Sequence, residues 1–155
     1  MVQPARINSR SLGIDLESRK EGELFKWFLA CLLFGKPIQT EIGERAYKAL
    51  VAERLDSPQA ILDAGWDKLV AILDSTHYVR YDFSTASKLL EVCGELKRRY
   101  GTVSNLQAQS GTPAELSRRL QEFKHIGPVT ARIFLCEIRP VWYGKRRSAA
   151  KSRAA

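Results

Sequence analysis

Cysteine is scarce: Cys31, Cys93 and Cys136 are the only three in 155 residues. They stand far apart and are odd in number, so they offer no disulfide framework and no CxxC metal pair. They read as small apolar residues of a reduced core. Histidine is scarcer still, with only His77 and His125. Neither has a carboxylate or cysteine at ligand spacing, which argues against a zinc site. No apolar run exceeds the eight residues from Trp27 to Phe34, far short of a membrane span. The first twenty residues lack the apolar stretch of a secretory signal. There is no GxxxxGK phosphate loop and no convincing β alternation. These absences predict a cytoplasmic, all-α protein.

What is present is ordinary globular composition, 45% hydrophobic and 27% charged, in a length suited to one domain. The net charge is +8 and is unevenly placed. No acid follows Glu137, whereas Arg139, Lys145, Arg146, Arg147, Lys151 and Arg153 do. Residues 1–137 hold 19 basic against 17 acidic residues, so the excess sits at the end. Such a tail reads either as an arm for phosphates or as a solubilising end. Three parts are expected: a polar arm over 1–20, a helical body over 21–139 and a basic tail over 140–155.

Helical patterning runs through the body. EGELFKWFLACLLFG is apolar almost all round, as in a central buried helix. QTEIGERAYKALVAERL carries a stripe of Ile42, Ala46, Leu50 and Val51. Ser57 and Pro58 open another helix, Gly65 breaks it, and WDKLVAILDST continues as a further short one. HYVRYDF is an aromatic and basic connector. Ser84 is expected to cap STASKLLEVCGELKRRY, and Gly101 to end it. Thr112-Pro113-Ala114-Glu115 has the form of a capping box.

The most informative segment is LQEFKHIGPVTARIFL, residues 120–135. It reads as a helix, a tight turn over Lys124 to Gly127, and a second helix entered at Pro128. Gly127 permits a left-handed or closely approached backbone. The free amides of the second helix start, with the positive dipole end behind them, suit a phosphate. Thr130 can add a hydroxyl. Val129, Ile133 and Phe134 anchor the second helix.

This segment resembles the helix-hairpin-helix of the endonuclease III-like (HhH-GPD) DNA glycosylase superfamily, through Phe123, Ile126, Gly127, Thr130 and Ala131. Upstream, LFKWFLACLLFGKPIQTEIGERAYKAL is similar to the family's first two barrel helices, and STHYVRYDFSTASKLLEVC to the segment bearing its DNA-wedging loop. The resemblance covers residues 22–139 and implies a six-helix barrel without the family's second domain. It also implies DNA contact through Lys124, His125, Ile126, Gly127, Val129 and Thr130, with Lys36, Tyr78 and Arg80 as further candidates, and Tyr81 beside them in the connector. A monovalent cation at the hairpin carbonyls would fit the family; an iron–sulfur cluster would not, since the clustered cysteines are missing.

The departures bear on chemistry. The lyase members carry a lysine where this chain has Val129, which cannot form a Schiff base. The aspartate that members carry beyond the hairpin has no counterpart, because no acid follows Glu137. The first hairpin glycine is replaced by His125. Asp82 and Glu137 read as a turn residue and a helix-end residue rather than a catalytic pair. The expectation is therefore a DNA-binding protein of base-excision-repair type that is not an autonomous catalyst, with a second chain as a candidate for completing the cleft. The alternatives are a DNA glycosylase without β-lyase activity, acting on damaged or mismatched bases, and a helical protein-interaction module.

Overall fold

Helix begins where the sequence turns apolar on every side. In the computed structural model, which describes residues 8–35, 39–78 and 80–144, α1 spans Glu21–Phe34 and buries nine side chains, from Leu24 to Leu33. It is the central element, touched by α2 (Thr40–Ala52), α5 (Val103–Ala108) and α7 (Pro128–Ile138). Each fully buried Leu or Phe contributes about 1.5–3 kcal/mol, so α1 dominates the core. Phe28 stacks edge-on against both Phe123 and Phe134. The Trp27 indole N–H donates to the Phe134 carbonyl at 3.2 Å, which ties α1 to α7 inside the core. α2 crosses α1 closely because Gly43 has no side chain: a Cβ there would fall 2.4 Å from the Phe34 ring.

The expected break at Gly65 appears as a kink. α3 spans Pro58–Ser75, and within it Gly65 has φ 81° and ψ 168°, a backbone that favours glycine. Ser57 caps the helix, accepting from the Ala60 amide at 3.1 Å. α3 packs most extensively on α4, Asp82–Arg99. Ser84 does not cap α4 as expected. The helix starts two residues earlier, the Asp82 carboxylate accepts from the Phe83 amide at 2.8 Å, and the Ser84 hydroxyl turns back to the Tyr81 carbonyl.

The six-residue α5 has too few turns to show periodicity and was not expected. Its start is capped twice. Thr102 accepts from the Asn105 amide at 3.0 Å. Glu21 on α1 accepts from the amides of Val103 and Ser104, at 3.0 and 2.7 Å. α6, Pro113–Gln121, opens with the expected cap, the Thr112 hydroxyl accepting from the Glu115 amide at 3.1 Å. The returning bond of the box is shifted by one residue, since Glu115 accepts from Gly111.

Both ends of the body extend further than expected. Residues 8–20 are no loose arm: Leu12, Ile14 and Leu16 are buried in the core, and a short 3₁₀ turn spans Leu16–Ser18. Past Arg139 the chain makes one wider helical turn, Arg139–Gly144, that buries Val141. The two ends meet. Ser9 donates to Glu137 at 2.7 Å, and Arg19 donates to the Val141 carbonyl at 2.7 Å while lying 4.9 Å over the Trp142 ring. Tyr143 donates to the Ser110 carbonyl at 2.8 Å. Apolar residues outside the helical pattern carry this closure, which is why hydrophobic periodicity missed it. Lys145, Arg146, Arg147, Lys151 and Arg153 lie outside the described residues. The fold is all-helical, with no strand among the described residues, and none of their helices is long and apolar enough to cross a membrane.

Candidate nucleic-acid interface

The turn between α6 and α7 is set by two buried anchors. The Phe123 amide donates to the Leu120 carbonyl and the Ile126 amide to the Phe123 carbonyl, both at 3.1 Å, and both side chains enter the core. Gly127 follows with φ −102° and ψ −170°, which is extended backbone. Of the two expected reasons for a glycine here, a left-handed conformation is therefore excluded and close approach remains. A Cβ at Gly127 would meet nothing within 4 Å, so the absent side chain leaves open space outside the protein. The ladder of α7 begins with the Ala131 amide donating to the Gly127 carbonyl. The amides of Gly127, Val129 and Thr130 precede it and find no acceptor among the described residues. Pro128 has none to offer. Helix starts of this kind favour anions, through the free amides and the dipole together.

The side chains around this start divide by exposure. Val129, expected to anchor the second helix, is 51% exposed, and the anchoring falls to Ala131, Phe134 and Ile138. Lys124 projects into solvent, and Arg132 is exposed one turn further along α7. The Thr130 hydroxyl, expected to face outward, does the reverse. Thr130 is buried, and its Oγ1 would lie 2.5 Å from a Cβ at Gly35, at the end of α1. Thr130 therefore offers its amide and not its hydroxyl. The same imaginary Cβ would lie 3.5 Å from Lys88 Nζ, so the end of α1, the buried Lys88 of α4 and the start of α7 converge on Gly35. Lys36 lies outside the described residues, immediately after that point.

Glu91, three residues beyond Lys88 and so on the same side of α4, reaches the turn. Its Oε1 binds His125 Nε2 and lies 3.9 Å from Lys124 Nζ. The bond from His125, assisted by the Lys124 charge, holds the Glu91 carboxyl below its ordinary value. No sequence signal marked Glu91, because the pairing spans 34 residues. A second set of charges clamps the back of the turn: Arg99 bridges Glu95 and Glu122, at 3.0 and 2.6 Å, and Arg118 also holds Glu122.

The connector before α4 departs from its expected role at Tyr78. This residue is completely buried, and its hydroxyl donates to the Leu33 carbonyl at 2.6 Å. Burial pushes its pKa up to about 12. Tyr78 is a core residue that fastens the connector to α1, so it has no surface to offer DNA. Arg80 is exposed, with its guanidinium 5.7 Å from the Tyr81 ring. Tyr81, Ser84, Lys88 and Glu91 follow one another at helical spacing along α4. Connector and hairpin thus lie towards the two ends of one face, about 15 Å apart by helix rise. Phe83, 61% exposed, stacks against Trp66 at 5.3 Å between ring centres, and Trp66 donates to Ser87. This pair was not singled out from sequence, since neither residue breaks a pattern.

Asp82 is engaged by the adjacent Phe83 amide, and Glu137 by Ser9 from the other end of the body. No group of three or more His, Cys, Asp or Glu is placed to hold a metal among the described residues. A cavity of about 680 Å³ lies away from the hairpin, between residues 8–17 and Glu137–Val141. Comparison with protein-family models, with curated proteins and with solved structures found no match to this chain.

Proposed function

We propose that this protein is a DNA-binding domain of the endonuclease III-like type, a six-helix barrel that grips a phosphate with the unit formed by α6, its turn and α7. The observation that carries this reading is the open start of α7: three unpartnered amides and an empty space where Gly127 lacks a side chain. A phosphate can approach there closely, and such contacts position DNA without reading its sequence. Lys124, Arg132, Arg80 and Lys36 supply charge, and His125 and Ile126 shape the turn. A monovalent cation at the hairpin carbonyls is part of the same reading. Val129 in place of the lyase lysine removes β-lyase chemistry, and with no acid after Glu137 the domain is non-catalytic, or completed by a second chain that brings an acid. Base excision would otherwise require flipping a nucleotide against an acid that this chain does not place.

Binding to plain, abasic and mismatched duplexes at fixed salt tests the proposal. Gly127→Val is a clean probe, because valine adopts this backbone readily and its Cβ meets no protein atom. Affinity is expected to fall at least tenfold, about 1.4 kcal/mol, with an unchanged circular dichroism spectrum. Borohydride should trap no adduct on abasic DNA. Equal binding by wild type and G127V removes the hairpin from the interface. The exposed Trp66–Phe83 pair favours a second reading, a protein-interaction module. On that reading Trp66→Ser with Phe83→Ser abolishes partner binding, and no duplex is bound.

A further inference from the structure

Lys124 and His125 of the hairpin turn both meet one carboxylate. Glu91, from α4, presents Oε1 to His125 Nε2 and to Lys124 Nζ. The other acid of this turn, Glu122, is occupied by Arg99 and Arg118, and Glu95 by Arg99. Lys88, on the same face of α4, is buried beside Gly35 and Thr130. Glu91 itself is exposed, and so is Lys124, so the contact between them can be broken without opening the core.

We infer that Glu91 is a resident competitor for the DNA phosphate: it holds Lys124 and His125 against α4 in the free protein and yields them when a phosphate reaches the start of α7. This rests on the DNA-binding reading. The geometry supports it in three ways. A carboxylate and a phosphate present the same kind of acceptor to these donors. The amides of Gly127, Val129 and Thr130 stay unpartnered while Glu91 occupies Lys124 and His125, so the two halves of the anion site are uncoupled in the free state. The carboxyl is held in its charged form by the same contacts, so it competes as an anion. Glu91 is thus an affinity-setting residue. It lowers attraction for any polyanion and favours ligands that also engage the backbone amides.

Duplex binding by wild type, Glu91→Gln, Glu53→Gln, the double variant K124A/H125A and the triple variant E91Q/K124A/H125A, measured across a salt series, tests this. E91Q is expected to bind about three- to tenfold more tightly at low salt. Its plot of log K against log salt should steepen by up to about 0.9, one additional phosphate contact. E53Q changes charge equally, at the end of α2 where Glu53 pairs only loosely with Lys68, and should stay within about twofold of wild type. In the K124A/H125A background the change at Glu91 should have no effect. E91Q indistinguishable from wild type, or E53Q giving the same gain, overturns the inference. The two ideas fail differently. Wild-type binding that G127V lowers and E91Q leaves alone sinks only the competitor. No duplex binding by any of the proteins sinks the DNA reading and the competitor with it.

Discussion

Gly35 has a negative φ and no need of glycine for its backbone; it is the neighbours that exclude a side chain. The Thr130 hydroxyl and Lys88 both crowd the place where a Cβ would stand. Gly35→Ala must therefore displace the start of α7 or rotate Thr130. It is expected to cost about 1–3 kcal/mol in urea unfolding, the usual range for overpacking. In a Thr130→Ala background the same change should cost less than half as much, because Oγ1 is gone; an equal cost in both backgrounds would place the clash elsewhere. Sequence alone shows a glycine at a helix end and a threonine in the next motif, 95 positions on. Nothing in it says that the two touch. Tyr78 teaches the same lesson in reverse: its setting among basic and aromatic residues suggested a surface, yet it is fully buried, with its hydroxyl satisfied by the Leu33 carbonyl.

Among the elements, α5 depends most on another helix. Glu21 satisfies two of its first amides from across the core. Glu21→Ala should leave them unpaired and cost about 1–3 kcal/mol. Hydrogen exchange should show the loss first at Val103 and Ser104, with α6 and α7 still protected. Uniform loss of protection would mean that α5 is not a separable unit. Long amphipathic helices with caps at Ser57 and Thr112 were legible in sequence, as was the turn anchored by Phe123 and Ile126. α5 was not, since six residues carry barely two turns of pattern. Nor was the backbone at Gly127, where a glycine could serve conformation or clearance. The structure shows clearance.

For the molecule as a whole, high pH should be the weak side. Burial pushes the Tyr78 phenol and the Cys93 thiol each up to about 12, and raises Tyr47 and Cys31 as well. Their ordinary values are 9.0 for the thiols and 10.0 for the phenols. Above these, the unfolded chain gives up protons that the folded chain keeps, so it binds fewer. Stability is then fully present below about pH 9 and falls as pH rises towards 12, by up to about 1.4 kcal/mol per pH unit for each group. Denaturation series at pH 8, 9, 10 and 11 should show the decline. Tyr78→Phe should be weaker at neutral pH, having lost its bond to Leu33, yet decline less steeply above pH 10. A slope unchanged by Y78F would mean that other groups drive the alkaline transition. The unperiodic ends, joined through Arg19, Val141 and Trp142, show why domain limits read from helical pattern fell short at both termini: closure by isolated apolar residues leaves no period to detect.

The three tryptophans stand at three different depths, and each indole is a separate optical reporter. Trp27 is sealed in the core with its N–H bonded to Phe134, Trp66 is 39% exposed beside Phe83, and Trp142 lies beneath the Arg19 guanidinium. Emission from Trp27 should be blue and out of reach of acrylamide, whereas that from Trp66 should be redder and readily quenched. Trp142 should brighten or dim as the terminal junction opens. Variants that keep one indole at a time would therefore resolve core melting, surface binding and end release as three spectra from the same protein.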